Sequence, residues 1–408
     1  MTTERLKIII VGSGLAGLTA ARILRPHHNV TVYERGSASV ATGGQGIMIA
    51  PNSIKILESI NFDRARAGGV PIRGIRTYLN REVKEEVSMG FKSRFGADSV
   101  GMKRSDFREE LLRLATEDLK EGKKVYMKYG GAVTGLDCEQ GVVELADGST
   151  DSADVVIIAD GVHSRLRNVL LESESYAPNK AGLTCYRVAI STKDAQQSLN
   201  DLPLPHWWEP STCQNRTSLI YAPDGTPRFI TAYPICNETM FNLSCLVRST
   251  PSTRPTTESW HADGDKAQMI SAFQDFGEDI TRILDAASEI KVWELQDLST
   301  LPTWTRGRAI LIGDAAHAMT PMQGQGANMS IEDAEAFRLL TPGTTRVDVP
   351  AVLWKIGEVR RKRVERVLEE TRKVHSTVGV AERMFKNADL YYGYNGIVDA
   401  MERESQEA

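Results

Sequence analysis

LKIIIVGSGLAGLTAARIL, residues 6–24, runs from an unbroken apolar segment through a glycine-rich turn into a stretch of helix-forming Ala and Leu. A short apolar run closed by glycine suits a strand buried on both faces, the condition of a parallel sheet. Gly12 is placed to make the turn, Gly14 to let the backbone approach a pyrophosphate, and Gly17 to let helix and strand pack closely. A second strand, Asn29 to Tyr33, ends in Glu34, twenty residues after Gly14, where this fold sets an acid to accept hydrogen bonds from a ribose hydroxyl. Strand, turn, helix and acid in register predict a bound dinucleotide. The competing reading is a turn built for packing alone, with Glu34 a solvated charge.

Two further strand-turn-helix segments lie downstream. ADVVIIADGVHSRLRNVL carries a strand, Ala153 to Ala159, that ends in Asp160-Gly161. RAILIGDAAHAMTPMQGQGANMSIEDAEAF carries a strand, Ala309 to Ile312, a turn at Gly313-Asp314, a loop holding Pro321, and Gly324-Gln325-Gly326 opening an amphipathic helix. Asp314 at a strand end can bind sugar hydroxyls. Backbone N–H groups at 324–327 suit a polarised carbonyl or the edge of an electron-rich ring.

These three motifs, GSGLAG with Glu34, ADGVHSRLR around Asp160 and GDAAHAMTPMQGQGAN over 313–328, make the chain resemble the class A flavin-dependent monooxygenases with the p-hydroxybenzoate hydroxylase fold. The pattern is nearest to salicylate-hydroxylase-like members. The resemblance implies FAD, with Gly12, Gly14, Ala16 and Gly17 at the pyrophosphate and Glu34 and Arg35 at the adenosine ribose. It implies Asp314 near the ribityl and pyrophosphate part, with Asp160 in a motif that serves FAD and the nicotinamide cofactor. Pro321, Gly324, Gly326, Ala327 and Asn328 would meet the flavin, and Arg104, in MKRSDFREELLRLA, matches a flavin-contacting arginine. In GGQGIMIAPNS, Gly46, Ile47 and Met48 look like the loop beside the ring, with Gly44, Gln45 and Gly46 its flexible part. Other readings stay open: Arg104 as a surface charge capping its helix, Asp160 as a turn residue, and His317 as a structural hydrogen-bonding group rather than a base.

At 408 residues the chain is long enough for two or three units, and its 41% hydrophobic and 25% charged content is that of a globular protein rather than a disordered or fibrous one. The fold expected is α/β: a Rossmann-type FAD-binding domain from 1–72, 98–182 and 296–345, an inserted antiparallel β-sheet substrate domain from 73–97 and 183–295, and a C-terminal helical segment over 346–408. With 49 basic against 53 acidic side chains there is no overall positive field for nucleic acid or an anionic membrane. Five cysteines without a CxxC pair argue against a disulfide framework and a zinc site. No window reads as a signal peptide, spanning helix or lipidation address, so the expected location is the cytoplasm, as a monomer or homodimer.

Between 183 and 295 the texture changes to short runs separated by turn residues: LTCYRVAI, SLIYA, RFITAYPI and FNLSCLVR read as strands of an antiparallel sheet. Period-two alternation puts Cys185, Arg187 and Ala189 on one face, and Phe229, Thr231 and Tyr233 on one face of another strand. Arg187, a permanent charge in an apolar run, is the sharpest catalytic candidate, against a solvated edge-strand arginine. Tyr233, in a Tyr-Pro strand similar to the family's, is the second. Trp207 and Trp208 read as core, or as walls for a planar substrate. After 345, EVRRKRVERVLEETRKVHSTV reads as a solvated helix packed on the flavin domain, its basic run Arg360 to Arg363 neutralised by Glu358, Glu365, Glu369 and Glu370.

The resemblance implies an NAD(P)H:O₂ oxidoreductase: NADH or NADPH, a transient co-substrate, reduces FAD, and a flavin hydroperoxide passes one oxygen atom to an aromatic or heteroaromatic small molecule. Epoxidation of an indole or alkene scaffold is the alternative, ahead of a flavin reductase or a non-catalytic flavin-binding protein. The halogenase WxWxIP signature and the CxxxxC pair of disulfide reductases are both absent.

Overall fold

The computed structural model describes residues 5–38, 45–118, 122–250, 262–373 and 380–407. Its centre is a six-stranded sheet in the order Thr305–Arg306, Ala309–Leu311, Val155–Ile158, Lys7–Val11, Asn29–Glu34, Tyr126–Tyr129. The pairings are parallel except for the antiparallel Thr305–Arg306 edge. Alternation along Lys7–Val11 sends Ile8 and Ile10 into one core cluster and Ile9 and Val11 into another, one on each face. Ile8, Ile9 and Ile10 have no exposed surface, and each buried side chain of this size stabilises the fold by roughly 1.5–3 kcal/mol. On one side, helix Leu15–Leu24 packs against helices Arg104–Thr116 and Gly326–Ala336.

The turn between Lys7–Val11 and Leu15–Leu24 requires its glycines. Gly12 has φ +106°, a conformation costly for any residue with a side chain, and a Cβ there would collide with the Ala159 carbonyl. A Cβ on Gly17 would run into the Gly12 carbonyl, so the helix sits as close to the strand as backbone allows.

A second sheet has seven strands in the order Lys291–Asp297, Asn179–Ser191, Met240–Arg248, Phe229–Ile235, Arg216–Tyr221, Gly74–Leu79, Glu82–Ser88. Its pairings are antiparallel except that Arg216–Tyr221 and Gly74–Leu79 run parallel. One face, with Tyr186, Val188, Ile190, Leu243 and Ile230, is buried together with Ile280 and Ile283 of helix Glu278–Asp285 and Met269 of helix Lys266–Ala272. Trp207 and Trp208 belong to this core: Trp208 is stacked on Phe241 at 4.5 Å between ring centroids. A three-stranded sheet of Gly46–Ile49, Ser99–Lys103 and Val70–Ile72 joins the two halves, with Gly101 packed against Pro234 and Tyr233.

The C-terminal region opens with helix Val349–Arg372, 24 residues long. The expectation of a solvated helix whose basic run is neutralised by Glu358, Glu365, Glu369 and Glu370 is met at Arg361 and corrected at Arg360 and Arg363. Arg360 is fully buried, and it and Arg363 form ion pairs with Glu332 of helix Gly326–Ala336, while Arg361 pairs within its own helix with Glu358 and Glu365. An arginine at one face of an amphipathic helix is buried when the neighbouring helix supplies carboxylates to meet it. Residues 374–379, where the sequence reading continues that helix, lie outside the described residues, as does Gly44. Among the described residues no helix is long and apolar enough to cross a membrane.

Candidate functional site

A cavity of about 740 Å³ lies between the carboxyl edge of the parallel sheet and the open face of the seven-stranded sheet. Three parallel strands deliver residues to it just past their C-terminal ends: Gly14 after Lys7–Val11, Ala159 and Gly161 after Val155–Ile158, and Ile312 and Asp314 after Ala309–Leu311. Ligands of open α/β sheets bind at this edge, where connections to neighbouring strands part to opposite faces. The lining also takes in Ala16, Gly46, Ile47, Arg104, Pro321, Gly324, Gly326 and Ala327.

Gly14 has no atom within 4 Å of where a Cβ would stand, so the start of helix Leu15–Leu24 faces open space. Glu34 lies at the end of its strand. One carboxylate oxygen accepts from the Ser13 N–H at 2.9 Å and hydroxyl at 2.7 Å, and the other accepts from the Gly36 N–H at 2.8 Å. Burial pushes this carboxyl up, but those donors and Arg108 leave it below its ordinary range. Arg108 also ties the turn, donating to the Ser13 carbonyl and hydroxyl. Arg35 is exposed. Asp160 Oδ1 is buried with no hydrogen-bond partner, and burial raises this carboxyl.

Asp314 starts the short helix Asp314–His317, and burial raises its carboxyl against the pull of His317 and Arg104. Arg104 is not a surface charge. It lines the cavity, its pKa pushed down to about 10, first by burial and then by Arg187. Asn328 is buried off the cavity: its Oδ1 accepts from the Ala50 N–H at 2.8 Å and its Nδ2 donates to the Gly324 carbonyl at 2.7 Å, fixing the loop between them.

On the sheet side, register sets out the wall in rows. Arg187, Ser244 and Thr231 lie side by side on three neighbouring strands, and the next row holds Cys185, Leu246 and Phe229. All six line the cavity. The strand carrying Arg187 has neighbours on both sides, so it is not an edge. Arg187 Nη2 donates to the Gly46 carbonyl at 3.1 Å, while the Gly46 N–H donates to Asn242 Oδ1 at 2.7 Å. Two side chains of the seven-stranded sheet therefore hold both backbone polar groups of Gly46 in the three-stranded sheet. Tyr233 lines the cavity, and burial lifts its hydroxyl above the ordinary pKa.

Beneath the Gly313–Asp314 turn lies a buried charge network. Asp333 Oδ2 accepts from the Gly313 N–H at 2.9 Å and lies 2.5 Å from His317 Nε2, while Asp333 Oδ1 accepts from Arg360 Nε at 3.0 Å. Arg360 Nη1 donates to Glu332, which also accepts from Asn52 and Arg363. His317 thus sits in a structural hydrogen bond, 1% exposed and off the cavity.

Sequence reasoning missed Asn242, Arg108 and the Asp333–Arg360 pair. A polar residue inside the apolar run FNLSCLVR was the signal for Asn242. It also missed Met384 and Tyr392, which reach the cavity from the C-terminal helices Val380–Lys386 and Ala388–Tyr392.

The sequence matches the family described as FAD binding domain over residues 5–341. It is 31% identical over 384 residues to 3-amino-4-hydroxybenzoate 2-monooxygenase of Streptomyces platensis, covering 91% of this chain and 88% of the relative. It is 30% identical over 400 residues to 6-hydroxynicotinate 3-monooxygenase of Bordetella bronchiseptica, covering 95% of each. A solved salicylate hydroxylase substrate complex shares the fold, with TM-score 0.75 at 22% identity over 97% of both chains.

Proposed function

The chain belongs to the FAD binding domain family, as a class A FAD-dependent monooxygenase, and from that premise we propose that it spends NADH or NADPH and O₂ to insert one oxygen atom into an aromatic or heteroaromatic small molecule. The observation that carries this reading is one continuous cavity with glycine backbone at one end and a cationic, largely apolar sheet face at the other.

The residues present fit FAD. The open space at Gly14 leaves room for a pyrophosphate at a helix N-terminus, where backbone N–H groups would donate to it. Gly12, Ala16 and Gly17 would shape that turn, Glu34 with Arg35 would meet the adenosine ribose, and Asp314 the ribityl part. Arg104, Gly46, Ile47, Pro321, Gly324, Gly326 and Ala327 would surround the ring, with Asn328 bracing the loop. FAD held by these residues would supply the redox chemistry, in which two electrons from NADH or NADPH reach O₂, one oxygen atom enters the substrate and the other leaves as water.

The chain's own residues then have three tasks. Leu219, Phe229, Leu246 and Trp293 keep the sheet side apolar and exclude water. Arg187 offers a fixed positive charge to negative charge developing on the substrate. Tyr233, whose hydroxyl burial keeps protonated, can donate a hydrogen bond to the substrate. Asp314 is the one carboxylate among the described lining residues and no histidine joins it, so no side-chain base faces the sheet.

The test is oxidation of NADH or NADPH in air by the flavin-loaded protein, with 3-amino-4-hydroxybenzoate, 6-hydroxynicotinate, salicylate and a set of indoles. Oxidation stimulated by one class, with one ¹⁸O from ¹⁸O₂ in its product, is expected. A protein that cannot be loaded with FAD, or a product without ¹⁸O, overturns the reading. In the same assay Asp314→Ala is expected to weaken FAD binding by about tenfold or more, because a buried hydrogen-bond acceptor is lost. Flavin content after dialysis checks this, and wild-type retention removes Asp314 from the cofactor site.

A further inference from the structure

The cavity face of the seven-stranded sheet carries a polar row that the proposed oxygen transfer uses only at its Arg187 end. Arg187, Ser244 and Thr231 stand directly opposite one another on three neighbouring strands, so their side chains share a face, one strand spacing of about 4.7–4.9 Å apart. Burial shows which face it is. The residues before and after them, Tyr186, Val188, Leu243, Cys245, Ile230 and Ala232, are sealed in the core, whereas these three are only half-buried and line the cavity. The next row along the strands, Cys185, Leu246 and Phe229, is apolar, and Leu219 ends the polar row beyond Thr231.

Ser244 is also oriented. Its Oγ accepts from Asn242 Nδ2 at 3.3 Å, and Asn242 Oδ1 is itself fixed by the Gly46 N–H. A serine hydroxyl that accepts one bond still has its proton to donate, and the open side of Ser244 is the cavity. Ring geometry then selects the ligand. Oxygens placed para on a ring point in opposite directions, so a single wall meets only one of them. Ortho oxygens point the same way but stand closer together than neighbouring strands do. Meta oxygens face one wall at nearly one strand spacing, matching two adjacent members of the row. They also donate electrons to the same ring carbons, which suits attack by an electrophilic oxygen.

We propose that Ser244 is a specificity-determining residue that donates a hydrogen bond to a second ring oxygen, meta to the one that Arg187 faces. This rests on the aromatic monooxygenase reading and names its substrate class: meta-dioxygenated aromatics, in preference to their ortho and para isomers. The bond is one of binding, so it is expressed in affinity and KM rather than in kcat.

The experiment titrates the visible flavin spectrum of the FAD-loaded protein with phenol, catechol, resorcinol and hydroquinone. Resorcinol is expected to bind about fivefold or more tighter than each of the others. Ser244→Ala is expected to abolish that preference while leaving phenol binding unchanged, and Ser244→Thr, which keeps a hydroxyl, to retain part of it. Thr231→Val, one strand further along the row, is expected to keep the preference in full, which separates the assigned hydroxyl from general polarity of the wall. Equal binding of the four probes, tightest binding by catechol or hydroquinone, a preference that survives Ser244→Ala or is lost in Thr231→Val, or no binding by any probe overturns the proposal. The monooxygenase reading fails separately, by absence of bound FAD or of ¹⁸O transfer.

Discussion

Replacing Asp333 with alanine is expected to destabilise the protein by about 3–5 kcal/mol, because it breaks a buried charge network from one side. Arg360, fully buried, would keep Glu332 as its one carboxylate partner beside the Met329 carbonyl, and both the Gly313 N–H and His317 Nε2 would lose their acceptor. The magnitude follows from the asymmetry of such networks: an intact pair is close to neutral against apolar replacements, but a partner left unpaired in the core bears the full desolvation cost. Arg361→Ala is the contrasting control. That arginine pairs with Glu358 and Glu365 at the surface of the same helix, and its removal is expected to cost no more than about 1 kcal/mol. Denaturant unfolding of the flavin-loaded variants checks both values, and similar losses for the two would show that the buried network carries no special weight. The pH dependence has a definite sign. Burial pushes the Asp333 carboxyl up, yet His317 and Arg360 hold it below its ordinary pKa, so the acid stabilises the fold above about pH 4 and that contribution disappears as the pH falls further. Wild type should therefore lose stability on acidification by an increment that Asp333→Ala lacks.

What could be read from sequence was what local chemistry dictates. Gly12 and Gly17 are legible because only a residue without Cβ fits a φ of +106° or a helix seated on a carbonyl, and such positions leave glycines at fixed spacing. The strands around Arg187 and Tyr233 are legible because period-two alternation shows which residues share a face. Partners across the chain are a different matter. Arg360 and Glu332 are 28 positions apart on separate helices, and nothing in EVRRKRVERVLEE distinguishes Arg360, which turns inward, from Arg361, which pairs within its own helix. The pairing of Asn242 with Gly46, separated by 196 positions, depends on how the small three-stranded sheet docks on the large one, a tertiary fact. Met384 and Tyr392 escaped for the same reason: their helices are predictable, but the surface they cover is chosen by the fold of everything before them.

Arg187→Ala is expected to keep FAD bound while product formation falls by about a hundredfold and most NAD(P)H consumed ends as peroxide instead of hydroxylated product. Two losses combine at this position. The guanidinium supplies positive charge to the cavity, and through its 3.1 Å bond to the Gly46 carbonyl it holds the start of strand Gly46–Ile49 at the cavity wall. Removing the charge also relieves Arg104, which Arg187 disfavours, so binding of the cofactor is not expected to suffer. Asn242→Ala separates the two losses, since it frees the Gly46 N–H from its 2.7 Å bond without altering charge. If anchoring Gly46 were the whole role of Arg187, the two variants would uncouple equally. If the charge acts on the substrate, Arg187→Ala is the more severe, and Arg187→Lys recovers part of the coupling though its single ammonium cannot reproduce the fork of donors. The ratio of product to NAD(P)H consumed, with peroxide measured in parallel, decides between them. Unchanged turnover and coupling in Arg187→Ala would remove the residue from the reaction and leave it a strap between two sheets.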